Sequence, residues 1–535
     1  MKHFHSYGPV NCKTHFCVQR RALIAQGVEQ LIGNPEDGGH YFTIWAPRQT
    51  GKTWLMRQIE QIISQQYPEE FTVFNFSLGR LRGMKDSLPE VDFPPAFGRL
   101  IKSHLPGHPD PQNWEDFAQL FSKTEGLWDR PLILLIDEVD TIPQALIDLM
   151  VAQFRELYLD RKNNWLHGLA LIGVRAVLGI ESQRGSPFNI QRSLKVPNLT
   201  PAEVKELYRQ YQEESGQQIE PAVVEQVYES TKGQPGLVSW FGELLTEKYN
   251  PGVDKTLDDE TWKLVWLSAR SKEPNNTLLN LIAKAIDPMY QDFLTSLFTT
   301  SNVPFFFHQP KHNYLYLHGL IEPTIETSSS GEKQYVCRFT SPFVQRCLYD
   351  ALSNEIIGPE TPILALEPLD ELTDVFGGNH KGLPLLNLPA LLTRYKDYLV
   401  RLREKGINPW KEQPRRKKDL KLTESVGQFH LFTWLKDAVG RRCVVSPEFP
   451  TGNGKVDLHL QCGKQRGIIE VKSFVDSYQI KSDREQAADY AKNLGIDSVT
   501  IAVFIPVLEE TVLEKLSTQE MIQGVEVTVV AIGWV

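Results

Sequence analysis

Two groupings of residues, far apart in the chain, have the types and spacing to do chemistry. The first is the run Ala46-Pro47-Arg48-Gln49-Thr50-Gly51-Lys52-Thr53. It lies between an apolar stretch, Tyr41 to Trp45, and a segment in which Trp54, Leu55, Ile59, Ile62 and Ile63 recur at helical spacing. A strand, loop and helix of this kind make an anion cradle. Backbone N–H groups and the helix start face a phosphate, Lys52 reaches the β/γ-phosphates and Thr53 holds Mg2+. Ala46 stands where such loops usually open with Gly, and an ordinary polar strand–helix turn is the bland alternative. The acids to match lie in PLILLIDEVDTI, Pro131 to Ile142. Its unbroken apolar run reads as a strand buried on both faces of a parallel sheet. Asp137 at its end would orient Mg2+ through water, and Glu138 would polarise an attacking water as general base. A further strand, Leu169 to Val177, would bring Arg175 to the γ-phosphate edge or leave it solvated past the strand end.

The second grouping is Asp457 followed by Glu470-x-Lys472. In KVDLHLQ, alternation sets Val456, Leu458 and Leu460 against Asp457. In GIIEVKSF, Glu470 and Lys472 share a face opposite Ile469 and Val471. Antiparallel pairing would bring Asp457 beside Glu470 with Lys472 next to both. Paired carboxylates make a hard-oxygen site for Mg2+ or Mn2+. An adjacent lysine steadies charge developing on a phosphate. The competing reading is an exposed hairpin with a surface salt bridge. A helix bearing Glu424 precedes this pair, and a helix with Gln486 and Tyr490 follows it.

These groupings need elements to hold them, and the composition supplies them. A chain of 535 residues allows three or four domains of ordinary size. Its net charge of −9 advertises no bulk attraction to nucleic acid, although a local basic groove is compatible with an acidic total. The run Arg415-Arg416-Lys417-Lys418 is either a solvated surface or a phosphate contact. Cys12, Cys17, Cys337, Cys347, Cys443 and Cys462 form no CxxC pair and fit thiols of a reducing cytoplasm. Cys12 and Cys17 flank His15, with His3 and His5 nearby, in no standard zinc spacing. No leader layout and no membrane-spanning apolar run is evident, so a cytoplasmic protein without membrane contact is expected.

The first three hundred and fifty or so residues resemble bacterial AAA-like P-loop ATPases of the STAND/ORC-related branch. The resemblance rests on GPV…HF…QRR, APRQTGKT, LLIDEVD, LIGVR, SPFNI…VPNLTPAEV and GQPGLV. It implies that Arg20 or Arg21 contacts adenine, Arg175 acts as a sensor and the helix at Pro235 closes on ATP. Sites of such proteins are usually completed by a neighbouring copy, so a homo-oligomer is implied. The strand–turn–strand–helix order near residues 315–355 resembles a winged helix, with few basic residues beyond Lys333 and Arg338.

From about Leu420 the order αββαβ, with the residues above, resembles PD-(D/E)xK restriction-endonuclease-like nucleases. The resemblance implies Glu424, Asp457 and Glu470 as metal ligands, Lys472 as catalytic lysine and Gln486 as a supporting residue. Val456 replaces that family's proline. The expected fold is α/β multidomain: residues 1–250 an AAA-like ATPase with a parallel sheet, 251–355 helical and winged, 356–419 a helical connector, 420–535 the nuclease. The expected function is an ATP-dependent or ATP-gated, metal-dependent nuclease acting on DNA, with RNA left open, in defence against mobile elements or DNA processing. A STAND-like switch that answers an activating partner protein and only holds nucleic acid is the alternative. A translocating motor is a third reading, for which no helicase motif is visible.

Overall fold

The computed structural model describes the chain apart from residues 1, 35–37, 85–91, 103–108, 126, 174–192, 300–302, 328–331, 358–371, 378–385, 411–412, 414–422, 440–441, 451–454, 474–476 and 535. The side chains of 82–84, 299, 353–354, 356–357, 448–450, 455–456 and 477–479 are outside the description as well. Arg175 and the run Arg415 to Lys418 therefore lie outside the described residues. The chain folds into two compact units, one of Met1–Leu281, Phe305–Thr327 and Arg338–Val344, the other of Ile282–Pro304, Ser328–Cys337 and Gln345–Val535.

In the first unit, β1 (Tyr41–Trp45), β2 (Thr72–Ser77), β3 (Leu132–Asp137), β4 (Leu166–Gly173) and β5 (Ser193–Lys195) form one sheet in the order β2-β3-β4-β1-β5. Every neighbouring pair is parallel. The three central strands β3, β4 and β1 are dry on both faces, which is why they read as apolar runs instead of alternating. Leu132, Leu134 and Ile136 enter one core with Phe97, Phe117 and Phe154. Ile133 and Leu135 enter the opposite core with Leu55, Ile59 and Ile63 of the helix Lys52–Gln66. A five-stranded parallel sheet with helices on both faces and the loop after β1 fits a P-loop nucleotide-binding fold.

The block expected to open a helix at Pro201 does so through a capping box. Thr200 Oγ1 accepts from Glu203 N at 3.2 Å, and Thr200 N donates back to Glu203 Oε2 at 2.7 Å. Further on, β6 (Ile321–Thr327) and β7 (Lys333–Phe339) pair as a two-stranded sheet between the helices Pro310–Leu317 and Pro342–Ile357.

The second unit holds a six-stranded mixed sheet: β8 (Val444–Pro450), β9 (Lys455–Cys462), β10 (Gln465–Ser473), β11 (Ser498–Ile505), β12 (Thr518–Ile522) and β13 (Val525–Gly533). Their order is β12-β13-β11-β10-β9-β8. The αββαβ expectation is thus corrected to a longer series with three further strands. The first of these, β8, is an edge strand that tolerates Pro447 and Pro450, residues that read as loop in the sequence. β8, β9 and β10 run antiparallel, whereas β10, β11 and β13 are parallel.

The cysteine expectation is also corrected. Cys12 is bonded to Cys17 and Cys443 to Cys462, leaving Cys337 and Cys347 as buried thiols. The antiparallel register pairs Val444 with Gln461, so Cys443 falls opposite Cys462, a proximity that sequence spacing hides. The compartment inferred from six thiols loses its basis. Among the described residues, no helix is long and apolar enough to cross a membrane.

Leu135 is fully buried in the core beneath the helix Lys52–Gln66. Leu135→Ala is expected to destabilise the first unit by about 2–5 kcal/mol in denaturant titration. A loss below about 1 kcal/mol contradicts the two-sided burial of β3.

Candidate functional site

The loop after β1 turns through two left-handed residues, Gln49 at φ 58° and Gly51 at φ 89°. At Gly51 only a residue without Cβ adopts that angle freely. Lys52 Nζ donates to the Ala46 and Pro47 carbonyls at 2.8 and 2.7 Å, and Thr50 Oγ1 donates to Pro47 O at 2.9 Å. Burial pulls Lys52 down to about 8, against the attraction of Asp140 and Asp137. Thr53 Oγ1 donates to Asp137 Oδ2 at 2.7 Å, joining the two residues expected to share Mg2+. Burial raises the Asp137 carboxyl, and the Thr53 hydrogen bond opposes that rise.

Glu138 adopts a left-handed backbone, φ 55°. Its Oε2 accepts from Ser77 Oγ at 2.6 Å, at the end of β2. A Cβ on Gly79 would fall 1.8 Å from the same oxygen, so only glycine leaves room for it. Ser77 and Gly79 were not singled out in the sequence; Ser77 lies near the end of FTVFNFSL, Gly79 just after it, and Ser77 is aligned with Asp137 only once β2 pairs with β3.

The lead-in arginines have protein partners of their own. Arg20 donates to Pro197 O and Asn198 O at 2.8 and 3.1 Å and pairs with Glu203 at 3.4 Å. Its guanidinium clamps the block before the capped helix, and its side chain is 10% exposed. Arg21 reaches Gln19 at 3.2 Å. Around Pro235, it is the flanking residues that touch the phosphate loop. Gly236 N donates to Gln49 O at 3.1 Å and Gln234 Nε2 to Arg48 O at 3.2 Å, while Pro235 occupies the first helical turn. A Cβ on Gly236 would fall 2.5 Å from Gln49 Oε1. A cleft beside the loop is bordered by Arg48, Thr50, Asn198, Gln234, Asn280 and His318.

In the second unit the register pairs Ile469 with Leu458, which carries Glu470 opposite Asp457. Asp457 Oδ2 accepts from Val471 N at 2.7 Å. Lys472 Nζ lies 3.4 Å from Glu424 Oε1, 3.9 Å from Asp457 Oδ2 and 3.7 Å from Glu470 Oε2. The exposed-hairpin alternative fails, because Asp457 and Glu470 are 8% and 2% exposed. Glu424 arrives at the start of the helix Glu424–Val439, whose Gln428 Nε2 donates to Asp457 O at 3.3 Å. Gly427 lets that helix approach β11: a Cβ there would meet the Phe504 ring at 2.7 Å.

Burial, then the Asp457 charge, raises the Glu470 carboxyl well above its ordinary range. Burial works against the charge of Lys472, but Asp457, Glu424 and Glu470 hold it well above the usual lysine value. Glu470 Oε1 is buried without a hydrogen-bond partner, an orphaned acceptor that suits a cation. Among the described residues, Glu424, Asp457 and Glu470 do not form a set whose ligand atoms all lie within 4.8 Å of one another. Among the described residues, His3, His5 and His15 are the sole group of three candidate ligands within 4.8 Å of each other.

Gln486 is exposed and donates to Tyr490 OH at 2.9 Å, and the charges of Glu470, Lys472 and Asp457 act on that buried Tyr490. The buried acid on that helix is Asp483, whose charge acts on both Lys472 and Glu424. Its signal in the sequence was the i, i+3, i+7 alignment with Gln486 and Tyr490.

No protein-family model matches the sequence, and no curated protein does. Solved structures give partial overlays. A Walker-type ATPase of Pyrococcus abyssi is 14% identical over 64% of this chain and 99% of its own, with a TM-score of 0.43. ORC1 of Aeropyrum pernix, solved in complex with DNA, is 15% identical over 63% and 92%, with a TM-score of 0.31. RuvB of Thermotoga maritima, a Holliday junction branch migration motor, is 14% identical over 59% and 91%, with a TM-score of 0.31.

Burial, partly offset by the Lys472 charge, pushes Glu424 from its ordinary 4.5 up to about 7. Between those values the folded chain keeps a proton that the unfolded chain has released, so this residue's contribution to metal-free stability falls as pH rises. Glu424→Gln is therefore expected to gain stability relative to wild type as pH climbs through that window. Histidines such as the buried His430 titrate in both proteins and cancel. A difference that stays flat in denaturant titrations across the window, or moves toward wild type, contradicts this placement.

Proposed function

We propose that this chain is a metal-dependent nuclease acting on DNA and controlled by ATP binding and hydrolysis. The observation that carries the reading is the largely buried Lys472 ammonium among Glu424, Asp457 and Glu470. Three carboxylates and one lysine, three of the four on the interior strands β9 and β10, leave net negative charge in a largely buried place, which a divalent cation offsets. Glu424, Asp457 and Glu470 would hold Mg2+ or Mn2+, which supplies Lewis acidity toward a phosphate when bound.

The chain's own groups do the remaining work. Lys472 donates to a non-bridging phosphate oxygen as charge builds there. Water attacks phosphorus, the bond to the leaving oxygen breaks, and the proton lost by water ends on that oxygen. In the first unit, Lys52 turns from the Ala46 and Pro47 carbonyls to the β/γ-phosphates, and Thr53 and Asp137 would hold Mg2+. Glu138, aligned by Ser77, takes the proton of the water that attacks the γ-phosphate. Gln234 and Gly236 tie the loop to the following helices, so nucleotide in the loop is felt there. Action on DNA, assembly of several copies and a role in defence or DNA processing rest on the sequence resemblance.

A second reading is an ATP-operated switch whose C-terminal unit only holds nucleic acid. The observation favouring it is that Glu424, Asp457 and Glu470 do not form a set whose ligand atoms all lie within 4.8 Å of one another.

Cleavage of plasmid, linear duplex and single-stranded DNA, with Mg2+ or Mn2+ and with or without ATP, separates the two. Wild type is expected to cut, and Lys472→Ala to lose at least about a hundredfold in rate, as expected when a preorganised charge is removed. Lys52→Ala is expected to lose the ATP response. Equal cutting by Lys472→Ala, or no cutting of any substrate by wild type, overturns the nuclease.

A further inference from the structure

We propose that His3, His5 and His15 form a binding site for a divalent transition-metal ion of the Zn2+ type, on the outer face of the first unit. Their ligating nitrogens lie within 4.8 Å of one another. The His5 and His15 rings stack at 4.0 Å, and His3 stands edge-on to His15 at 4.6 Å.

The arrangement is built by the backbone. Residues 3 and 15 form a parallel bridge, with His3 N donating to Thr14 O at 3.2 Å and Phe16 N to His3 O at 3.1 Å. Alternate residues turn inward: Phe4, Ser6 and Phe16 are 1, 4 and 3% exposed. Phe4 packs against Tyr208 and Tyr211, its N–H donates to Glu247 at 3.1 Å, and Ser6 Oγ donates to Glu243 at 2.8 Å. Pleating then sends His3 and His5 to the other face, where His15 meets them from the paired segment.

Burial first, and neighbouring imidazole charge second, hold His5 and His15 below the ordinary histidine value. An all-imidazole set selects Zn2+, Ni2+ or Cu2+ over Mg2+. The nearby sulfurs do not compete, because Cys12 and Cys17 are bonded together and Cys12 Sγ accepts from Trp54 Nε1 at 3.3 Å. His15 Nδ1 accepts from Asn11 N at 3.0 Å, so an ion displaces that hydrogen bond when it takes this nitrogen. The ring planes also turn to converge, which these partly exposed side chains permit. Both costs point to moderate affinity.

The test is equilibrium dialysis of the chelator-stripped, nucleotide-free full chain against Zn2+. Every arm carries Glu470→Gln, to remove uptake by the acidic cluster. One Zn2+ per chain is expected, weakened about tenfold or more by His5→Ala and by His15→Ala. Co2+ in place of Zn2+ is expected to give a visible absorption band that both variants lose. The variants' metal-free unfolding midpoints, expected to match the parent, exclude misfolding as the cause. Zn2+ uptake that both variants retain, that only Cys12→Ser abolishes, or that is absent at micromolar free metal overturns the proposal.

Discussion

An ammonium group cannot sit in a protein interior unless opposite charge surrounds it, and Lys472 sits among Glu424, Asp457 and Glu470. The C-terminal unit depends on this arrangement. Desolvation alone would cost several kcal/mol per ion. It is tolerated because each carboxylate is fixed by a separate element. Asp457 is held by the Val471 N–H, Glu470 by the register of β9 on β10, and Glu424 by a helix that Gly427 allows close to β11. One lysine does not neutralise three acids, and the raised Glu424 and Glu470 carboxyls register the excess. A bound cation would discharge that stress and release Lys472 toward a phosphate, and the reading as a nuclease uses both.

The first unit solves a related problem with backbone instead of ions. Its phosphate loop gathers N–H groups, so the chain must turn through Gln49 and Gly51 at positive φ. The carbonyls thereby exposed are covered from nearby: Lys52 covers Ala46 and Pro47, and Gly236 covers Gln49. Thr53 and Asp137 meet because β3 ends level with the loop, and Glu138 is aimed by Ser77 from the next strand. The same dry parallel sheet carries all of these groups on its C-terminal edge, where open α/β sheets bind ligands.

The parts legible in the sequence were those written in local pattern. The loop, the apolar run ending in Asp137-Glu138, the capping box at Thr200 and the Asp457–Glu470 pairing each follow from spacing within a few residues or from one antiparallel register. What was not legible depends on where distant segments meet. That the Arg20 donors find the Pro197 and Asn198 carbonyls, far along the chain, is one such meeting. Gln486 sits at the expected helical position and donates to the buried Tyr490, while Asp483, one turn earlier, is a buried acid that the pattern alone did not single out. Strand β8 was hidden by its two prolines, and the Cys443–Cys462 bond by the same strand. The N-terminal histidines were visible, but the segment that aligns them folds only against Tyr208 and Tyr211.

The most direct measurement of the central claim is Mn2+ binding to the nucleotide-free full chain, followed by electron paramagnetic resonance. Wild type and Lys52→Ala should bind Mn2+ alike, and Glu470→Gln should lose that binding. Mn2+ uptake that survives Glu470→Gln, or that disappears in Lys52→Ala, would contradict a cation site in the buried acidic cluster.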